Sequence, residues 1–273
     1  MRRAFVLGGG GKWGAVEVGM LQALVDRGIS PQLVLGCSIG SLNGAVFAAD
    51  PTAAGVERLR RMWVDQAPDI IADARVRDRV RSFVGRRPYL YDSHGLREMV
   101  TSVLGGRLIE DLVVPFECVA ARIEDATEHW FVDGPVVDAV IASSAIPGLF
   151  PAATVNGEHF YDGGLVNSIP LDRAVALGAT EIWVLQVGRV EQALQPAQRL
   201  YESALVAFEI SRRHRFTTAL EGLPDDVEVH VVPSGHRLAM DDRRQLQWRR
   251  VADAADLIDN ARAATAAYLD QLG

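Results

Sequence analysis

The chain has 273 residues, 49% of them apolar and 23% charged, with a net charge of −7. This composition suits one globular domain with a sizeable core, and the acidic balance excludes a dedicated nucleic-acid binder. The two cysteines, Cys37 and Cys118, are distant and show no metal or redox spacing, and no apolar run is long enough to span a membrane.

Only Ala4-Phe5-Val6-Leu7 separates the first arginines from a run of glycines, too short for a secretory leader, so a cytoplasmic protein is expected. Residues 3–7 read as a strand. Gly8-Gly9-Gly10-Gly11-Lys12-Trp13-Gly14 follows and opens a helix near 14–27, with Val16, Met20, Leu21 and Leu24 along one stripe. A second strand, 32–37, runs into Gly36-Cys37-Ser38-Ile39-Gly40 and a helix from Ser41 to Ala49. Both glycine motifs therefore sit at strand-to-helix turns, where backbone N–H groups are free and a side chain is presented sharply. Gly-x-Ser-x-Gly in that setting is a nucleophile-elbow pattern, with Gly36 and Gly40 removing Cβ atoms from a strained bend. Taken alone, the pentapeptide is equally an N-cap at a glycine-rich turn. Gly9-x-Gly11-x-x-Gly14 formally matches a dinucleotide fingerprint. That reading wants an acid ending the second strand, where Gly36-Cys37-Ser38 stands; Asp26 lies in the preceding helix.

Residues 51–112 read as a helical insertion, with helices near 52–66, 73–84 and 93–104 broken by Pro68, Gly85 and Pro88. Strand patterns at 115–122 and 127–132 flank Glu124-Asp125 and suggest a hairpin. Helices at 135–144 and 170–178 bracket a loop carrying Asp162. A continuous apolar strand, 181–187, a helix near 196–221, a strand at 227–232 and a helix at 248–271 complete the chain. This alternation predicts a three-layer α/β/α sandwich with a mostly parallel central sheet, in one domain over residues 1–273. Arg75, Arg77, Arg79, Arg81, Arg86 and Arg87 accompany an apolar stripe of Val76, Val80, Phe83 and Val84, and Arg243-Arg244 and Arg249-Arg250 surround Trp248. Each cluster reads first as a helix docked on the core with solvated arginines, and second as a peripheral membrane contact.

Residues 142–151, Ala-Ser-Ser-Ala-Ile-Pro-Gly-Leu-Phe-Pro, and 160–170, from Phe160-Tyr161-Asp162-Gly163-Gly164 to Asn167-Ser168-Ile169-Pro170, extend the glycine loop and elbow into four ordered motifs. On these the chain resembles the patatin-like phospholipase family over about residues 4–190. The resemblance implies a serine-dependent lipid acyl hydrolase of phospholipase A or esterase type, acting on lipid or acyl-ester substrates without metal or cofactor. It implies a Ser38–Asp162 dyad with no histidine, and an oxyanion hole from the backbone of Gly9, Gly10 and Gly11. Gly163 and Gly164 complete the Asp-Gly-Gly motif. The chain departs from the family at Trp13, which stands where Arg or Lys is common, with Lys12 one residue earlier; backbone donors do not depend on that side chain. Two other readings stand beside this one: a small-ester or thioester hydrolase, and a non-catalytic acyl-binding or regulatory protein. A conventional triad would instead recruit His214, His230 or His236, all of which follow Asp162.

Overall fold

The computed structural model describes residues 2–66, 88–89, 91–187, 194, 196, 200–235 and 254–273. The helix expected at 73–84, both arginine clusters and His236 lie outside these residues.

Alternating burial along the first strand sets the architecture. In β1 (Arg3–Leu7), Phe5 and Leu7 join one core, while Ala4 and Val6 join another on the opposite face. A strand covered on both sides must be apolar throughout, and this one is. Parallel neighbours flank it: β2 (Leu33–Cys37) and then β3 (Phe116–Arg122) on one side, β7 (Glu181–Leu185) and then β8 (Glu228–Val232) on the other. β4 (Thr127–Phe131), β5 (Ala153–Val155) and β6 (Glu158–Asp162) add antiparallel pairings, β4 and β6 each on β3 and β5 on β6, giving an eight-stranded mixed sheet among the described residues.

Helices cover both faces, as the three-layer expectation required. On the Phe5 face lie α1 (Ala15–Asp26), α2 (Ile39–Ala49), α3 (Ala53–Arg61), α4 (His94–Leu104), α5 (Val136–Ser143) and α9 (Ala254–Leu272). The Val6 face is covered by α7 (Leu171–Ala176) and α8 (Leu200–Glu221), with a single turn, α6 (Gly164–Asn167), leading into α7. Gly19 allows α9 to lie directly on α1, since a Cβ there would overlap the Ile258 carbonyl oxygen. Among the described residues no helix is long and apolar enough to cross a membrane.

The elements depart from expectation at three informative places. The elbow helix starts at Ile39, two residues early, because the Ser41 amide and hydroxyl both donate to the Ser38 carbonyl, at 2.9 and 2.6 Å. The helix expected over 52–66 ends at Arg61 and continues as a wider π-type turn, Met62–Gln66. Asp162 does not lie in a loop. It ends β6, the second strand of a hairpin that turns at Asn156-Gly157 with φ of 52° and 86°. Two consecutive positive-φ residues are what a tight two-residue hairpin requires, and Asn-Gly supplies them most readily.

Candidate active site

Sheet register, rather than loop geometry, brings the two key residues together. Along β3, Phe116–Val119 pair with β2 and Ala120–Arg122 pair with β6, while β4 occupies the other edge. β2 and β6 therefore meet end to end on one edge of β3. Cys37 stands opposite Val119, and Asp162 stands opposite the next residue, Ala120. Ser38 follows Cys37 directly, so its side chain emerges beside the carboxylate. Ser38 Oγ donates to Asp162 Oδ2 at 2.6 Å, with both residues buried.

The elbow is strained where it holds Ser38. The residue sits at φ 53°, ψ −124°, a region that costs a non-glycine residue free energy. Surrounding bonds hold it there. The Ser38 N–H donates to Ser143 Oγ at 2.9 Å, and Ser143 Oγ donates in turn to the Val119 carbonyl at 2.7 Å. The same segment grips the acid: the Asp162 N–H donates to the Ala145 carbonyl at 2.9 Å, and the Gly163 N–H to the Ser143 carbonyl at 3.2 Å. The Ala142-Ser143-Ser144-Ala145 segment thus clasps nucleophile and acid together. Gly36 and Gly163 leave no room for a side chain: a Cβ at Gly36 would lie 2.5 Å from Ser41 Cα, and one at Gly163 would overlap the Val119 carbonyl.

Burial pushes the Asp162 carboxyl from 3.8 up to about 6, partly offset by hydrogen bonds from Ser38 and from the Gly164 N–H, which donates to Oδ1 at 2.7 Å. Among the described residues these two are its side-chain partners. His230 is engaged elsewhere, stacked on Trp183 at 4.1 Å with Tyr268 and Glu228 at its ring nitrogens. His214 is exposed on α8.

The glycine loop divides into committed and uncommitted amides. The Gly8 N–H donates to the Leu185 carbonyl at 2.9 Å and the Gly9 N–H to the Ser168 carbonyl at 3.1 Å. For Gly10 and Gly11 no backbone acceptor is found among the described residues. Gly9 lies over the nucleophile, its Cβ position being 3.4 Å from Ser38 Cβ.

A buried network not foreseen from the sequence braces this loop. Asn43 on α2 donates through Nδ2 to the Gly14 carbonyl at 2.9 Å and to Glu17 Oε2 at 2.8 Å, while its Oδ1 accepts from Trp63 Nε1 at 2.9 Å. Burial raises the Glu17 carboxyl well above its ordinary range, which favours its protonated form; the Asn43 and Gly8 hydrogen bonds offset this only in part. The signal available in the sequence was weak: Glu17 interrupts a helix that is otherwise apolar on every side over its first two turns.

Several known proteins are similar to this chain in sequence. Patatin-like phospholipase domain-containing protein 7 of Rattus norvegicus is 28% identical over 187 residues, covering 68% of this chain and 13% of that protein. Domain-containing protein 6 of Homo sapiens is 28% identical over 191 residues, 69% of this chain and 14% of its own length. Lysophospholipase nte1 of Aspergillus fumigatus is 28% identical over 200 residues, 68% and 12% respectively. The chain therefore matches only a small part of these longer relatives. Among solved structures, VipD from Legionella pneumophila is similar with a TM-score of 0.45 and 14% identity, over 99% of this chain and 67% of that one. The patatin-like phospholipase family model matches residues 5–175, which contain the glycine loop, the elbow, the clasping segment and Asp162, and by that match the chain belongs to the patatin-like phospholipase family.

Proposed function

We propose that this protein is a serine-dependent lipid acyl hydrolase with Ser38 as nucleophile and Asp162 as general base and acid. The observation that carries the reading is the buried 2.6 Å hydrogen bond between Ser38 Oγ and Asp162 Oδ2 at a strained elbow. Ser38 Oγ attacks the ester carbonyl carbon as its proton passes to Asp162. The tetrahedral oxyanion is held by the Gly10 and Gly11 amides; Gly9, whose N–H is already given to Ser168, orients the loop instead. Collapse breaks the bond to the alcohol, which leaves with the proton from Asp162. Water then attacks the acyl-enzyme by the same route, returning the proton to Ser38. A carboxyl raised to about 6 suits this task, because it is ionised at neutral pH yet more basic than an ordinary aspartate. Membership of a phospholipase family, and the name of the fungal relative, favour lipid esters as the substrate class.

The reading is tested with a fluorophosphonate probe and a panel of lysophospholipid and short-chain esters. The wild-type protein should be labelled and should turn over lipid esters. Ser38→Ala should lose both while keeping its melting transition; labelling that persists in that variant removes the assignment.

A further inference from the structure

Among the described residues, three polar side-chain atoms are buried without a protein partner on elements at or next to the ends of the strands that carry the glycine loop: Ser168 Oγ, Gln186 Oε1 and Arg212 Nη1. All three residues are more than nine-tenths buried. Ser168 Oγ lies 3.1 Å from the Cβ position of Gly9, the same point that Ser38 Cβ approaches at 3.4 Å and Cys37 Sγ at 3.8 Å. Gln186 follows β7, and its Cβ lies 3.6 Å from the Cβ position of Gly8. Helix α8 connects the parallel strands β7 and β8, so it runs back against the strand direction. Phe216 on that helix belongs to the same buried cluster as Val6, Leu35, Ile169 and Val184. Arg212, one turn earlier, therefore sits about 5 Å nearer the strand ends where Gly8, Cys37 and Gln186 lie. Its positive charge accordingly acts on the Cys37 thiol, opposing part of the rise imposed by burial and Asp162. Glu209 accepts from Arg212 Nε at 2.8 Å and from Nη2 at 2.5 Å, so Nη1 is the guanidinium nitrogen left buried without a partner among the described residues.

We propose that Ser168, Gln186 and Arg212 form an internal hydration site that binds one long-lived water behind the glycine loop. The donor set selects the ligand. Arg212 Nη1 and the Ser168 hydroxyl donate, and Gln186 Oε1 accepts, which matches a water that accepts twice and donates once. An anion would meet the Gln186 oxygen, and a cation would meet the guanidinium. Burying three such groups unbonded would cost several kcal/mol, roughly 1–3 kcal/mol each, whereas a shared water satisfies all of them. The water fixes Ser168, whose carbonyl tethers Gly9; its effect on turnover rests on the hydrolase reading, while its presence does not.

The experiment is oxygen-17 water relaxation dispersion on the wild type, Ser168→Ala and Gln186→Leu, with steady-state kinetics and thermal melts on the same samples. We expect each variant to lose the dispersion amplitude of one internal water. We also expect kcat to fall by about five- to tenfold with KM unchanged, as a slightly misplaced loop would cause. Unchanged amplitude in both variants overturns the proposal. So does competitive inhibition by inorganic phosphate that Arg212→Met abolishes, because the site would then be an anion subsite. The dispersion readout needs no turnover, so the hydration site and the hydrolase reading fail separately.

Discussion

Gly40, at the start of the elbow helix, rests directly on the Leu7 carbonyl at the end of β1, where a Cβ would overlap the oxygen. The nucleophile-bearing helix is thereby seated against the strand that delivers the glycine loop, so a change at Gly40 displaces Ser38 relative to Gly10 and Gly11. Gly40→Ala should destabilise the fold by about 1–3 kcal/mol, as overpacking does, and lower kcat at least about tenfold. Gly106→Ala, where nothing lies within 4 Å of the added Cβ, should change neither. Urea denaturation and ester turnover on both variants would check this, and equal behaviour would count against the close-approach argument.

Activity should rise with pH through about 6, the value to which burial raises Asp162, because only the carboxylate can take the Ser38 proton. The pH profile of kcat/KM reads this directly. Asp162→Asn should lower turnover by about 10² to 10⁴. His230→Ala should alter the rate far less, since its ring is held by Trp183 and Tyr268 rather than by Asp162.

The same residue should oppose stability. A carboxyl whose folded value exceeds its unfolded value stabilises the fold fully below the unfolded value, near 4, and loses that contribution as pH rises through about 6. At neutral pH the ionised, buried Asp162 is thus a cost, of the order of 3 kcal/mol at most. Asp162→Asn should melt at a higher temperature than wild type above pH 7, and the gain should vanish below about pH 4. A gain independent of pH would contradict the assignment of the shift to Asp162.

Removing the Asn43 carboxamide would strand Trp63 Nε1, Glu17 Oε2 and the Gly14 carbonyl in a dry interior. Asn43→Leu should therefore cost about 3 kcal/mol or more and lower kcat through the loosened loop. Glu17→Gln, which preserves shape and neutrality, should retain most activity and stability. A Glu17→Gln variant as damaged as Asn43→Leu would show that an ionised carboxylate is needed there.

In the loop itself, Gly10→Ala would bring a Cβ within 2.5 Å of Val187 Cβ, and Gly11→Ala would place a side chain at φ +58°. Each should lower kcat by about 10² or more, comparable to losing one oxyanion donor. Trp13→Arg should stay within a few-fold of wild type. Single-turnover acylation rates would separate these effects from binding.

Much of this site was legible in the sequence because the relevant signals are local. The two glycine motifs mark strand-to-helix turns, and the Ser38 elbow and Asp162 are short, ordered patterns. Asp162 was nonetheless expected in a loop, because β5 is only three residues long and offers too few positions for alternation to show. The Asn156-Gly157 pair was the usable clue. The Asn43–Glu17–Trp63 network and the Ser168 tether on Gly9 were not legible. Each joins residues many positions apart through side-chain or carbonyl bonds that leave no periodicity in the chain. Ser143 lies between these cases: its segment stood out as a motif, but its grip on both Ser38 and Gly163 emerges only from the register of β3.

The packing of α9 on α1, made possible by Gly19 against the Ile258 carbonyl, has a consequence for synthesis on the ribosome. Helix α1 carries Glu17 and continues directly from the glycine loop, yet the surface that covers it is contributed some 240 positions later. Until Ala254–Leu272 has left the exit tunnel, a nascent chain must hold the face of α1 that this helix covers exposed. Contacts of such long sequence separation form late and favour chaperone dependence. Stable docking of α1 should therefore wait until Ala254–Leu272 is available, and a chain cut before Ala254 should fail to fold cooperatively.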